Sequence, residues 1–172
     1  RDEEVEAARL LAEAYLAVAP GDLEPLEYPH RHVPPTNTGA ASGVDLDGDG
    51  EVTLEPGTPS YASDSHGYGV FPGQYGMVVY ARHPIQTEQI RSFQRLLWRE
   101  MPENLMPTEY YSEEAQATLR LSSKNHVDVP VRLGAHTLHL LISHPTPPSF
   151  DGEEDRNGRR NHDEIRLWTD YV

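Results

Sequence analysis

Cysteine is absent from the sequence, and lysine occurs once, as Lys124. Without cysteine there can be no disulfide and no thiolate metal site, and the redox compartment is left undecided. Positive charge is also scarce: 14 Lys plus Arg face 28 Asp plus Glu, for a formal net charge of -14. No basic stripe is available to displace counterions from nucleic-acid phosphates, so tight nonspecific nucleic-acid binding is not expected. No apolar run approaches the roughly 20 residues that a membrane-spanning helix requires. Asp2, Glu3 and Glu4 give the start no signal-peptide profile, so an export signal, if the parent has one, would lie upstream. What is abundant is punctuation. Fifteen prolines and thirteen glycines in 172 residues, with 37% hydrophobic residues, point to one loop-rich domain still able to bury a core.

Residues 2–19 read as a helix, with acids at the positive N-terminal end and Val5, Ala8, Ala12, Tyr15, Leu16 and Ala19 on one face. Pro20-Gly21 ends it. Residues 22–73 are rich in Pro, Gly, Ser, Thr and Asp with little periodicity, which predicts a long loop inserted within the domain. A short buried strand is expected over 75–81, while 88–99 fits a helix or an extended segment equally well. Ser112 can cap a single helical turn, and 118–122 reads as strand. Val127, Val129, Val131 and Leu133 alternate with Asp128, Pro130 and Arg132, then Gly134-Ala135 offers a two-residue turn into a strand over 136–143. Pro130 points to an edge or a bulge. Strands 75–81 and 136–143 are apolar on both faces with few helices to cover them, so exposed sheet surface and self-association are expected.

The strand over 136–143 delivers His144 to its end, where Pro145 denies the ladder its next donor. A polar loop follows, holding Thr146, Asp151, Asp155, Asn157 and Gly158. A helix is expected from about Asn161, with His162, Ile165, Trp168 and Val172 on one side. On spacing alone, His144 is either a strand-capping histidine or a group that hydrogen-bonds or protonates a reacting oxygen.

Two segments carry a resemblance: FPGQYGMVVYARHPI at 71–85, followed by SHPTPPSFDGEEDRNGRRNHDEIR at 143–166. As a pair they resemble the endonuclease/exonuclease/phosphatase superfamily, in particular a bacterial, often exported subgroup, and the likeness runs from Tyr28 through Val172. In that superfamily a glycine-bearing strand of the GxxVxSRxPI kind precedes a strand ending in a catalytic His, which His144 matches. The resemblance implies an α/β fold, a four-layer sandwich of two packed, mainly antiparallel sheets. It also implies metal-dependent cleavage of a phosphoester with magnesium or manganese, and a secreted or periplasmic location.

The superfamily's N-terminal Asn, strand-closing Glu, Gly-Asp-x-Asn and late Ser-Asp-His have no counterpart here. Gly21-Asp22, Gly48-Asp49 and Asp64-Ser65-His66 do not fit them. Residues 1–172 are therefore expected to be the central portion of such a domain, inactive in isolation because most metal ligands are missing.

Three further constellations stand out. Asp45, Asp47 and Asp49, with Gly50 and the Glu51 carbonyl, follow the front half of an EF-hand-type calcium loop, but Pro56 occupies the place of its bidentate Glu. They are either a calcium site stiffening the long loop or an Asp-Gly turn with solvated charges. Lys124, Asn125 and His126 are either a polar connection between strands or a substrate contact. Asn161, His162, Asp163 and Glu164 fit the capped, acidic first turn of a helix better than a metal site, and Arg156, Arg159 and Arg160 either face a phosphate or, the favoured reading, pair with Glu153, Glu154 and Asp155. Two functions follow: a metal-dependent phosphohydrolase acting on a phosphoester through His144, or a calcium-stabilised, non-catalytic binding module with the same fold.

Overall fold

The computed structural model describes residues 2–172 and shows a mixed α/β arrangement with two small antiparallel sheets. Helix α1 (Asp2–Leu11) runs on into a π turn, Ala12–Leu16. In one sheet β1 (His30–His32) pairs with β2 (Val79–Ala81), and the short helix α2 (Pro59–Ser63) lies between them in sequence. In the other, β3 (Arg91–Ser92), β4 (His126–Leu133) and β5 (His136–Ser143) lie in that order. Helices α3 (Glu113–Thr118) and α4 (Arg156–Tyr171) complete the described elements.

The β4–β5 hairpin forms because its alternation places Val127 and Val129, both fully buried, on one face, and because Gly134 takes the left-handed conformation its tight turn needs (φ 62°). Its register sets His126 opposite Ser143. Lys124 and His144 consequently flank the same end of the hairpin. Pro130 sits in the central strand rather than at an edge. Its carbonyl accepts from Gln86 at 2.9 Å, so its missing N–H would also face the interrupted side formed by residues 84–92, and no bond to β5 is lost.

Two apolar clusters result. The larger surrounds Trp98, which is 0% exposed, with Met101, Tyr111, Leu119, Leu121 and Leu167. The smaller is the valine face of β4 against Val79.

Several expectations need correction. The strand expected over 75–81 shortens to Val79–Ala81, because residues 71–76 turn tightly instead. Residues 88–99 are mostly extended, with 3₁₀ turns at Thr87–Gln89 and Trp98–Glu100. Residues 119–122 are extended but contribute only a bridge between Leu97 and Arg120. Ser112 does cap a helix, its hydroxyl accepting from the Ala115 amide at 3.1 Å. Of the face expected on the first helix, Ala8 is buried, whereas Val5 and Tyr15 are 41% and 73% exposed. The stretch 22–73 contains β1 and α2 and is anchored by Asn37, whose amide donates to the carbonyls of Gln94 and Ser122 and whose oxygen accepts from Arg120.

Helix α4 begins five residues early, at Arg156, so Asn161 is interior to the helix. The Asn157 amide is satisfied by Asp151 at 2.7 Å. The buried face is Arg160, Asp163, Glu164 and Leu167, while Ile165 and Val172 are exposed.

A candidate anion-binding cleft beside His144

The inward face of α4 builds the site. Glu164, fully buried, accepts from the Ser123 amide at 2.7 Å through one carboxylate oxygen and from the Thr146 amide at 2.5 Å through the other. Its main-chain carbonyl accepts from His126 Nε2 at 2.7 Å. Asn161 donates to the Thr146 carbonyl at 2.7 Å, and Arg160 donates to the carbonyls of Leu121, Arg120 and His66. Asp163 does the same one step along, accepting from the Trp98 indole and the Leu105 amide, each at 2.7 Å. Loop backbone has no ladder partner and must be satisfied some other way when buried. Here a helix supplies the partners from its side chains. Glu164 thereby fixes the segment before β4 to the segment after β5, holding Lys124 beside His144.

Both residues line one cleft of about 650 Å³, together with Thr146, Asp47, Arg156 and Arg160. Lys124 is only 6% exposed, yet among the described residues its ammonium forms no hydrogen bond and no ion pair. Burial lowers its pKa and the nearby Arg160 adds to that, while Glu164 opposes them. His144 follows directly on β5, and neither ring nitrogen has a hydrogen-bond partner among the described residues. Its pKa is lowered by partial burial and by Lys124, against the pull of Glu164, which favours the neutral ring with its one N–H and one lone pair. The Thr146 hydroxyl is buried and unpartnered on the same wall. This wall presents hydrogen-bond donors to the cleft.

Among the cleft's lining residues only Asp47 carries a carboxylate, and Lys124, Arg156 and Arg160 carry positive charge. Carboxylates gather instead in the adjoining loop, where ligand atoms of Asp45, Asp47 and Asp49 all lie within 4.8 Å of one another. That trio could hold a metal ion. The Asp45 charge is stabilised by the backbone: burial would raise its pKa, but the amides of Gly50 and Gly48, at 2.9 and 2.6 Å, bring it below the usual carboxylate value. Glu51 enters the loop through its amide, which donates to Asp49 at 2.8 Å, and its carboxylate lies outside the trio.

Of the expected substrate contacts, only Lys124 reaches the cleft. Asn125 is spent on the Pro35 carbonyl and the Ser92 hydroxyl, and His126 on the Ser122 hydroxyl and the Glu164 carbonyl. Burial also lowers the His126 pKa. Of the three arginines, Arg156 does pair with Glu154 and lies 5.0 Å over the Tyr110 ring, whereas Arg160 is buried on carbonyls. Glu164 and Thr146 are not among the site residues expected from the sequence, and Glu164 alone has a signal there, the polar i, i+3, i+4 row Arg160, Asp163, Glu164, completed by Leu167.

A model of the Endonuclease/Exonuclease/phosphatase family matches residues 7–171. No curated protein and no solved structure matches.

Proposed function

The chain belongs to the endonuclease/exonuclease/phosphatase family, whose fold is that of metal-dependent phosphoester hydrolases or nucleases, and on that premise we propose that the cleft beside His144 seats the phosphoryl group of a phosphoester. The observation that carries this reading is Lys124: a side chain only 6% exposed, whose ammonium makes no hydrogen bond or ion pair among the described residues, in the cleft that also holds His144. Lys124 supplies charge to the anion and the Thr146 hydroxyl a hydrogen bond. His144, neutral, either donates its N–H to a phosphoryl oxygen or accepts a proton from the attacking water. Magnesium or manganese is the cofactor we assign to turnover, and Asp47 is the one carboxylate on the cleft lining that could ligate it. The 172-residue chain alone should therefore bind a phosphoryl group without hydrolysing it. Isothermal titration with inorganic phosphate tests the binding: saturable uptake, weakened at least about tenfold by Lys124→Ala, is expected from losing a charge-assisted contact. No saturable uptake by the unmodified chain overturns the reading.

A second reading, a calcium-stabilised binding module, is supported by the Asp45, Asp47 and Asp49 trio, the only such acidic group among the described residues. It requires millimolar calcium to raise the melting temperature, and Asp47→Asn to abolish that rise.

The same reading places the chain in one domain with 22–73 as an insertion, in a four-layer sandwich. It assigns a bacterial source and a secreted or periplasmic location, supported by the sequence resemblance. Self-association through the β5 edge is supported by the 47% exposure of Leu138. No helix among the described residues is long and apolar enough to cross a membrane.

A further inference from the structure

Four described residues other than glycine have a positive φ, and two of them are aromatics lining this cleft: Tyr75 (φ 59°) and Phe150 (φ 67°). The left-handed region disfavours any side chain with a Cβ and is a genuine outlier for a bulky one, so glycine would be the unstrained choice at both positions. Both rings stand in solvent nonetheless, Tyr75 at 54% and Phe150 at 87% exposure, with Tyr68 beside them on the lining at 58%. Phe93, Trp168 and Tyr171 pack on one another, while Tyr15 and Phe71, outside this cleft, are also exposed, at 73% and 51%, without the backbone strain of Tyr75 and Phe150. Tyr68, Tyr75 and Phe150 make no ring contact among the described residues. The cleft, at about 650 Å³, is in the range that takes a whole small ligand rather than a bare oxyanion.

We propose that the cleft selects a phosphate ester whose alcohol carries a flat aromatic ring, with Tyr75 and Phe150 gripping the ring while Lys124 and Thr146 hold the phosphate. The inference rests on the anion-binding reading above and adds the identity of the other half of the ligand. Strain at Tyr75 and Phe150 is then the cost of presenting ring faces where local packing alone would not put them. Stacking on such faces is indifferent to which flat ring is offered. A simple aryl group and a nucleobase therefore share the required chemistry.

The experiment is a calorimetric titration of the full 172-residue chain with four probes: inorganic phosphate, ribose 5-phosphate, phenyl phosphate and adenosine 5′-monophosphate. Phenyl phosphate and the nucleotide should bind about tenfold or more tightly than ribose 5-phosphate, as expected for a stacked ring. If only the nucleotide gains, the ring is a nucleobase; if both gain alike, any aryl group serves. Equal affinity for all three esters, with inorganic phosphate still binding, overturns the ring grip and leaves the anion site standing. Failure of inorganic phosphate to bind overturns the underlying reading itself. Tyr75→Gly and Phe150→Gly provide the folding control, because each removes a ring and its backbone strain together. They should melt no lower than the unmodified chain while losing the preference for aromatic esters. A marked fall in melting temperature would show that the rings are structural and would overturn the proposal.

Discussion

In α4 three of the four buried side chains are charged, Arg160, Asp163 and Glu164, at 8%, 0% and 0% exposure, with Leu167 the fourth, whereas in β5 the residues from His136 to His139 are all exposed, including Leu138 at 47%. Hydropathy alone would arrange these the other way round. The difference lies in what each element touches. Helix α4 packs against segments 103–105, 120–123 and 144–146, whose main-chain groups have few ladder partners. A carboxylate or guanidinium can satisfy two or three of those groups at once, which offsets the cost of burying its charge. Strand β5 has β4 on one side and no partner on the other among the described residues, and only its second half is partly covered. Burial here follows hydrogen-bond demand. The polar helix face is also what brings Lys124 and His144 together.

The largest effect that could break this comparison is expected at Glu164. Replacing it by alanine leaves the Ser123 and Thr146 amides without acceptors, a loss of about 3–5 kcal/mol of unfolding free energy in urea titrations. Near-normal stability would mean that α4 is not held by its polar face.

Next comes pH. His66 is 6% exposed with one ring nitrogen unpartnered, and burial, reinforced by Arg120 and Arg160, lowers its pKa to about 4. A base whose folded pKa lies below its unfolded value binds its proton more readily when unfolded. The neutral ring's contribution is thus complete above roughly pH 6.5 and is lost as the pH falls toward 4, by up to about 3 kcal/mol. His66→Gln should flatten the stability profile over that window. An unchanged profile would remove His66 from the account.

A smaller and opposite change is expected at Lys124. Exchange for methionine removes a desolvated ammonium and should raise stability by on the order of 1 kcal/mol while abolishing phosphate binding. A loss of stability would assign Lys124 a structural role. Least of all, Ile165→Lys and Leu138→Thr, on exposed apolar positions of the two contrasted elements, should each stay within about 0.5 kcal/mol of the unmodified chain. Leu138→Thr should also shift any sedimenting dimer toward monomer.

Legibility from sequence followed the same division. The β4–β5 hairpin was readable because strict alternation and a Gly-Ala turn are local signals, and the position of His144 just beyond β5 followed from Pro145. The Asp45, Asp47 and Asp49 loop was equally plain, its spacing and glycines being sufficient. Helix α4 was displaced and rotated, because a search for apolar periodicity settles on Ile165 and Val172, which are exposed, and passes over Arg160, Asp163 and Glu164. Those residues are buried by their partners' needs, and the partners lie up to 94 positions away in the chain, as Arg160 and His66 do. The roles of Thr146, Tyr75 and Phe150 likewise depend on segments that meet only in the folded molecule.

If Glu164 clamps two chain segments so that Lys124 and His144 share one anion-binding cleft, amide chemical-shift mapping of the full chain during an inorganic phosphate titration should give saturable shifts at both 123–125 and 144–146 with a single apparent affinity, absent in Lys124→Met. Shifts confined to one of the two segments, centred instead on Asp45 to Glu51, or linear without saturation would contradict it.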